Sequence, residues 1–227
     1  MGFLPIFLDI GGRECLVVGG GEVAARKARM LLDAGARVTL IAPQLSPELE
    51  RLVALWMLTH HARTYVAGDM AGFTLVFSAC GDASLERKLA DEARSRSIPL
   101  NVADAPELCD FHTPAVVRRG PLQIAISTSG ASPAFAARIR RELGAQFGPE
   151  YEAVLNILRC ARNHLRRNVG NREDRSRRLR ALADSDLPEL VRSHDTGAID
   201  ALLRRHIGAS LRELVPLRAA DDAPQPK

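Results

Sequence analysis

At 227 residues the chain can hold one large domain or two to three small ones, and a formal charge of +4 favours an anionic partner over a cationic one. Apolar residues at 46% are ample for a core, while aromatics at 4% argue against a stacking platform for single-stranded nucleic acid. Four widely spaced cysteines (Cys15, Cys80, Cys109, Cys160) with no C-x-x-C pair argue against a disulfide framework or structural zinc and fit a reducing cytoplasm, as does the want of a signal-like or membrane-length apolar run.

Leu4–Leu8 reads as a short strand before the Gly11-Gly12 turn, and Glu14–Val18 as the first strand of a nucleotide fold. Gly19, Gly20 and Gly21 follow, then a helical pattern over Glu22–Asp33 that buries Val23, Ala24, Ala28, Leu31 and Leu32 and closes at Gly35. Gly19 and Gly21, with Ala24 in the third small position, fit the G-x-G-x-x-G/A turn. Missing side chains let the backbone approach a pyrophosphate, whose charge is received by free N–H groups and the helix dipole. A glycine turn between strand and helix also forms without any ligand.

Arg37–Ala42 is the expected second strand, stopped by Pro43, and Ser46 as N-cap with Pro47 behind it opens a helix. Leu75–Cys80 reads as a fully buried strand, followed by a helix over Ala83–Arg94 and another strand over Ile98–Val102. This alternation implies a parallel, doubly wound α/β sheet. Around Pro114 the pattern changes. Leu122–Ser127 alternates as a strand, and Ser132-Pro133 leads into an amphipathic helix over Ala134–Phe147. Beyond Pro149, helices are expected over Tyr151–Leu165, Asp174–Ala183, Leu187–Ser193 and Ala198–His206, before an Ala-, Asp- and Pro-rich tail over 218–227 that reads as disordered.

Candidate chemistry is sparse. An acidic residue at the end of the second strand usually grips the ribose of NAD, but Ala42-Pro43-Gln44 stands there, so NAD and NADP remain equally open from this position. Asp104 follows a strand and should project from the carboxyl edge of the sheet, where open α/β folds place ligands, although an aspartate before Ala-Pro also serves as a turn former. Asp82 and Asp110 read as structural, His112 as a buried and satisfied histidine, and His60-His61 as an exposed loop feature. Arg162 to Arg180 holds eight arginines, and Arg138, Arg140 and Arg141 add to an earlier helix. This is either a solvated face or a cationic wall for a polycarboxylate, since guanidinium groups pair carboxylates at two points.

Five segments in one order carry a resemblance: Leu4-Pro5-Ile6-Phe7, Cys15 to Ala24, Arg26-Lys27-Ala28, Asn101-Val102-Ala103-Asp104 and Ile126 to Pro133. Together they resemble the precorrin-2 dehydrogenase/ferrochelatase part of sirohaem synthases, well over residues 1–145 and loosely beyond, in a form resembling the stand-alone members. The resemblance implies a Rossmann-like NAD-binding domain over 1–113, a small dimerisation segment over 114–148 and a C-terminal helical domain over 149–217. It implies NAD-dependent oxidation of precorrin-2 to sirohydrochlorin by a homodimer and, in some members, insertion of Fe²⁺ to give sirohaem. Carried over by position, Gly19, Gly21, Glu22 and Val23 hold the pyrophosphate, Pro43 and Gln44 flank the ribose, and Asp104 serves both chemistries. Ser127, Thr128 and Ser129 form a substrate-linked turn, with Thr128 standing where the family has a serine that is phosphorylated in one member. Arg138 belongs with the substrate-facing arginines.

A tetrapyrrole fringed with acetates and propionates suits an arginine excess, and its four nitrogens remove the need for a protein metal cluster. Loss of a hydride and a proton needs one acceptor for each, a nicotinamide and a carboxylate. The competing readings are a non-catalytic NAD-binding regulatory domain and a basic nucleic-acid binder; the first usually keeps the missing acid after the second strand, and the second lacks a recognition helix here.

Overall fold

The computed structural model describes residues 3–215, so the expected disordered tail lies outside the described residues. By internal packing the chain divides into two units, Met1–Thr113 and Pro114–Lys227.

In the first unit, β1 (Glu14–Val18), β2 (Arg37–Ile41), β3 (Thr59–His61), β4 (Leu75–Ser78) and β5 (Leu100–Val102) form one parallel sheet in the order β3-β2-β1-β4-β5. Cys15 pairs with Val38 on one side and Leu75 on the other, which makes β1 the central strand. It is apolar from Cys15 to Val18 because helices cover both faces, as parallel sheets require. On one face α1 (Glu22–Asp33) and α2 (Pro47–Ala54) bury Ala24, Ala28, Leu31, Leu49 and Leu52 against Val17, Val38 and Phe77. On the other, α3 (Ala83–Arg96) sets Leu89, Ala90 and Ala93 on Leu16, Val76 and Leu100. Each such leucine or phenylalanine contributes roughly 1.5–3 kcal/mol by leaving water. Asp82 caps α3 by accepting from the backbone N–H groups of Ser84 and Leu85, the structural role expected of it.

Several expectations are corrected. Leu4–Leu8 forms no strand: Leu4, Ile6 and Phe7 are exposed, and neither margin of the sheet pairs with them. His60 and His61 are not in a loop but in β3, parallel to β2, with His60 Nε2 2.9 Å from the Ala42 carbonyl oxygen. Cys80 lies beyond the end of β4, and the β3–β4 crossover has no helix; Met70 plugs it into the core instead. His112 is half-buried rather than buried, with its ring tilted against that of Phe3 at 4.4 Å between centroids.

The second unit starts with a hairpin that the sequence showed only in part. β6 (Ala115–Arg119) pairs antiparallel with β7 (Leu122–Ile126), and α4 (Pro133–Gln146) lays Ala136 and Ile139 on it. Arg119 closes the far end of α4, donating to the carbonyls of Gly144 at 2.8 Å and Phe147 at 2.9 Å. A cation there meets the negative end of the helix dipole. The remaining helices, α5 (Glu150–Asn168), α6 (Arg172–Ala183), α7 (Leu187–Arg192), α8 (Thr196–His206) and a one-turn α9 (Leu211–Leu214), gather around Ala161, Leu165, Leu182 and Leu203. Among the described residues no helix is long and apolar enough to cross a membrane.

Candidate active site

The strand order reverses between β1 and β4, and at such a switch point the loops leaving the two strands part to leave a crevice. Here that crevice has a volume of about 610 Å³ and is lined by Gly19 to Glu22, by Ala42 to Ser46 and by Thr64, Tyr65, Cys80, Asp82 and Leu85. The three glycines do different things. Gly19 sits at φ +122°, and a Cβ there would drive into the Ala79 backbone after β4. A Cβ on Gly20 would overlap the carbonyl of Gln44. Gly21, the N-cap of α1, faces open space, with nothing within 4 Å of where its Cβ would be. Gly19 and Gly20 therefore bring the walls together, while Gly21 leaves the helix terminus bare for an anion.

Of the expected cofactor residues, Gly19, Gly21, Glu22, Pro43 and Gln44 meet in this crevice, whereas Val23, one residue into α1, is not on its wall. Ser46 stands at the N-cap position of α2 but does not cap it. Its Oγ is buried without a hydrogen-bond partner, at the crevice wall. An orphaned buried hydroxyl is costly, and one beside an empty-sided glycine turn suits a polar ligand group that would supply its partner. The crevice lining holds no lysine or arginine. Sequence reasoning assigned no site role to Gly20, Thr64, Tyr65 or Cys80; for Gly20 the clue was a third consecutive glycine that the fingerprint does not require.

Asp104 is exposed just past β5, at the same carboxyl edge and two strands from the glycine turn, a spacing of about 10 Å. Its φ of +61° is the left-handed region, which aspartate tolerates better than most residues. The loop behind it is stitched to β5. Asp110 donates its N–H to the Leu100 carbonyl at 2.8 Å and accepts the Leu100 N–H on its carboxylate at 3.0 Å, so Asp110 is structural as expected. The buried Asn101 amide donates to the Phe111 carbonyl at 2.9 Å, and Cys109 Sγ accepts from the Val102 N–H at 3.2 Å. Burial pushes the Cys109 thiol up from its ordinary range, the Val102 N–H and Lys27 acting against it.

The remaining candidates lie in the second unit. Ser127 Oγ accepts from the Ser129 N–H at 3.1 Å, and Ser129 takes φ +51°. Thr128 Oγ1 accepts the Ser132 N–H and donates to the Ser132 carbonyl, both at 3.2 Å, so this hydroxyl holds the turn. Arg138 is exposed and pairs with Glu142 at 2.7 Å. In the arginine-rich stretch, Arg177 and Arg178 pair with Asp174, and Arg175 donates to the carbonyls of Val169 and Gly170. Arg162, Arg166, Arg167, Arg172 and Arg180 are exposed and form no ion pair among the described residues. No group of three metal-ligating side chains occurs among the described residues.

A parallel sheet of this order with a glycine turn at its switch point defines a dinucleotide-binding protein of the Rossmann class. Residues 6–115 match the family model described as "Putative NAD(P)-binding", and residues 119–146 match the model of the sirohaem biosynthesis protein central region. The siroheme synthase of Pseudomonas aeruginosa is 36% identical over 214 residues, covering 94% of this chain and 46% of that protein. That of Methylobacillus flagellatus is 44% identical over 140 residues, covering 62% of this chain and 30% of the other. The chain thus spans about half the length of the curated relatives it matches. Among solved structures, SirC, a precorrin-2 dehydrogenase, superposes with a TM-score of 0.71 at 25% identity, covering 89% of this chain and 98% of that one. By these matches the chain is similar, along most of its length, to the precorrin-2 dehydrogenase part of sirohaem biosynthesis, and residues 6–115 match an NAD(P)-binding model.

Proposed function

We propose that this protein oxidises precorrin-2 to sirohydrochlorin with NAD as hydride acceptor. The observation that carries the reading is the placing of an open glycine turn and an exposed aspartate on one carboxyl edge, in a chain matched along 89% of its length by a precorrin-2 dehydrogenase. Gly19 to Glu22 would hold the pyrophosphate at the α1 terminus, and Pro43, Gln44 and Ser46 would flank the adenosine ribose. Bound there, the nicotinamide supplies two-electron acceptance. Asp104 takes the proton that leaves the macrocycle as conjugation extends, and its exposure leaves that proton free to pass to water. Within the second unit, Ser127, Thr128, Ser129 and Arg138 are the proposed contacts for substrate carboxylates, with the Thr128 hydroxyl also holding the turn.

The domain roles follow the same reading: residues 114–148 serve a homodimer and 149–217 the substrate side, in a cytoplasmic enzyme whose four cysteines are free. Insertion of Fe²⁺ into sirohydrochlorin is the second activity of the reading, with Asp104 accepting pyrrole N–H protons as the ion enters. The test is direct. Purified protein given precorrin-2 and NAD should produce NADH and the sirohydrochlorin spectrum, and Asp104→Ala should bind NAD normally yet lose turnover. Absence of NADH from the wild-type protein overturns the dehydrogenase reading. Sirohydrochlorin with Fe²⁺ or Co²⁺ then tests insertion separately.

A further inference from the structure

Lys27 lies on α1, one and a half turns from the glycine turn, and its contacts are with β4, β5 and the loop that follows β5. Its half-buried ammonium donates to Asn101 Oδ1 at 3.2 Å and to Thr113 Oγ1 at 3.0 Å, and it lies 5.0 Å from the centre of the Phe77 ring. Among the described residues it forms no ion pair, although most cations of this protein that approach a carboxylate do so on the surface. A half-buried charge without a counter-ion is costly, and cation–π contact with two neutral acceptors returns only part of that cost.

The two acceptors are the ends of one segment. Asn101 lies in β5, ahead of Asp104, and Thr113 closes the loop that Asp104 opens. Asn101 is at once the acceptor for Lys27 and the donor to Phe111, so the ammonium, the amide and the loop backbone form a single chain of hydrogen bonds. The charged and titratable groups that act on Lys27 are Arg26 on its own helix and Cys109 and Asp104 in the loop. Burial and Arg26 disfavour the ammonium; Cys109 and Asp104 favour it.

We propose that Lys27 is a positioning residue that ties the loop carrying Asp104 to the helix carrying the dinucleotide turn, so that the two reacting partners are set by one rigid strut. The inference rests on the dehydrogenase reading above. It predicts that removal of the strut spares binding and costs chemistry, because misplacement of a reacting group by about 1 Å can lower a rate on the order of a hundredfold.

The experiment compares wild type with Lys27→Met, which keeps the length of the side chain and removes its charge and donors. Four quantities are read: the NAD dissociation constant, the KM for precorrin-2, kcat, and hydrogen exchange over residues 103–113. Expected are binding constants within about twofold of wild type, kcat lower by roughly tenfold or more, and faster exchange confined to the loop. A kcat within about twofold of wild type, or unchanged exchange, overturns the proposal. So does a kcat loss matched by an equal loss of NAD affinity, which marks damage to α1 itself. Should Lys27→Met not fold, Thr113→Val keeps the lysine and removes its acceptor at the end of the loop; a loss of kcat in the same direction is expected, and wild-type kcat overturns the proposal. A wild-type protein that reduces no NAD removes the enzymatic reading instead, and loop exchange in Lys27→Met still reports on the strut.

Discussion

The backbone N–H of Ser46 donates to the carbonyl of Gly20 over 2.7 Å, binding the loop after β2 to the loop after β1. Gln44, two residues earlier, lies so close to Gly20 that no side chain fits between them. The cofactor crevice is therefore shaped by a contact between two backbones, and it depends on a glycine outside the usual fingerprint.

Gly20→Ala should destabilise the protein by about 1–3 kcal/mol, the range for a methyl forced into a packed site. Gly21→Ala, entering open space, should stay within about 1 kcal/mol of wild type. Urea midpoints of the two variants check the contrast, and equal midpoints would contradict the geometry.

Gly21→Asp should separate binding from folding. The new carboxylate stands where phosphates would sit, while nothing nearby needs to move. The thermal midpoint should stay close to that of wild type, and NAD titration should show loss of binding. Retained affinity would mean that the turn is structural only.

Much of the first unit was legible because its central strands are buried on both faces. Glu22–Asp33 and Glu14–Val18 form as read, since a continuous apolar run and a 3.6-residue apolar stripe admit few alternatives. Where reading failed, a tertiary partner decided. Leu4–Leu8 has the composition of a strand and no neighbour to pair with, whereas Thr59–His61 looks polar and is drawn into the sheet by β2. Ala115–Arg119 ends in two arginines and is recruited by β7. In the candidate site, the glycine turn was visible as a local motif. Tyr65 and Cys80 were not, because they reach the crevice from loops that only the fold brings together.

Cys15 makes a prediction about alkaline stability. It is fully buried in β1, and burial first, then the nearby Glu14, pushes its thiol up to about 11 against the opposing charge of Arg13. Because the folded value exceeds the unfolded one, near 8.5, the native state holds its proton longer. The resulting stability is complete below about pH 8.5 and is lost as pH rises through the folded value. Cys15→Val should therefore lose less stability than wild type between pH 8.5 and 11, by up to roughly 2–3 kcal/mol. Denaturant titrations across that range decide it, and parallel curves would remove Cys15 from the effect.

Trp56 is 94% exposed and takes φ +55° in the turn between α2 and β3. The left-handed conformation costs a bulky residue about 1–2 kcal/mol, part of which glycine returns through a freer unfolded chain. Trp56→Gly should thus raise stability by about 0.5–1 kcal/mol, read by circular dichroism. Fluorescence is the wrong probe for this protein, whose single tryptophan already faces water when folded.

The paired bonds between Leu100 and Asp110 have a consequence for behaviour at high concentration. Unpaired amides along the margin of a sheet invite a foreign strand, and a protein with such a margin can polymerise by edge-to-edge addition. Here the returning loop occupies the β5 margin with its own amide and carboxylate, and the opposite margin is a strand of three residues. Neither offers a template long enough for another molecule to extend the ladder.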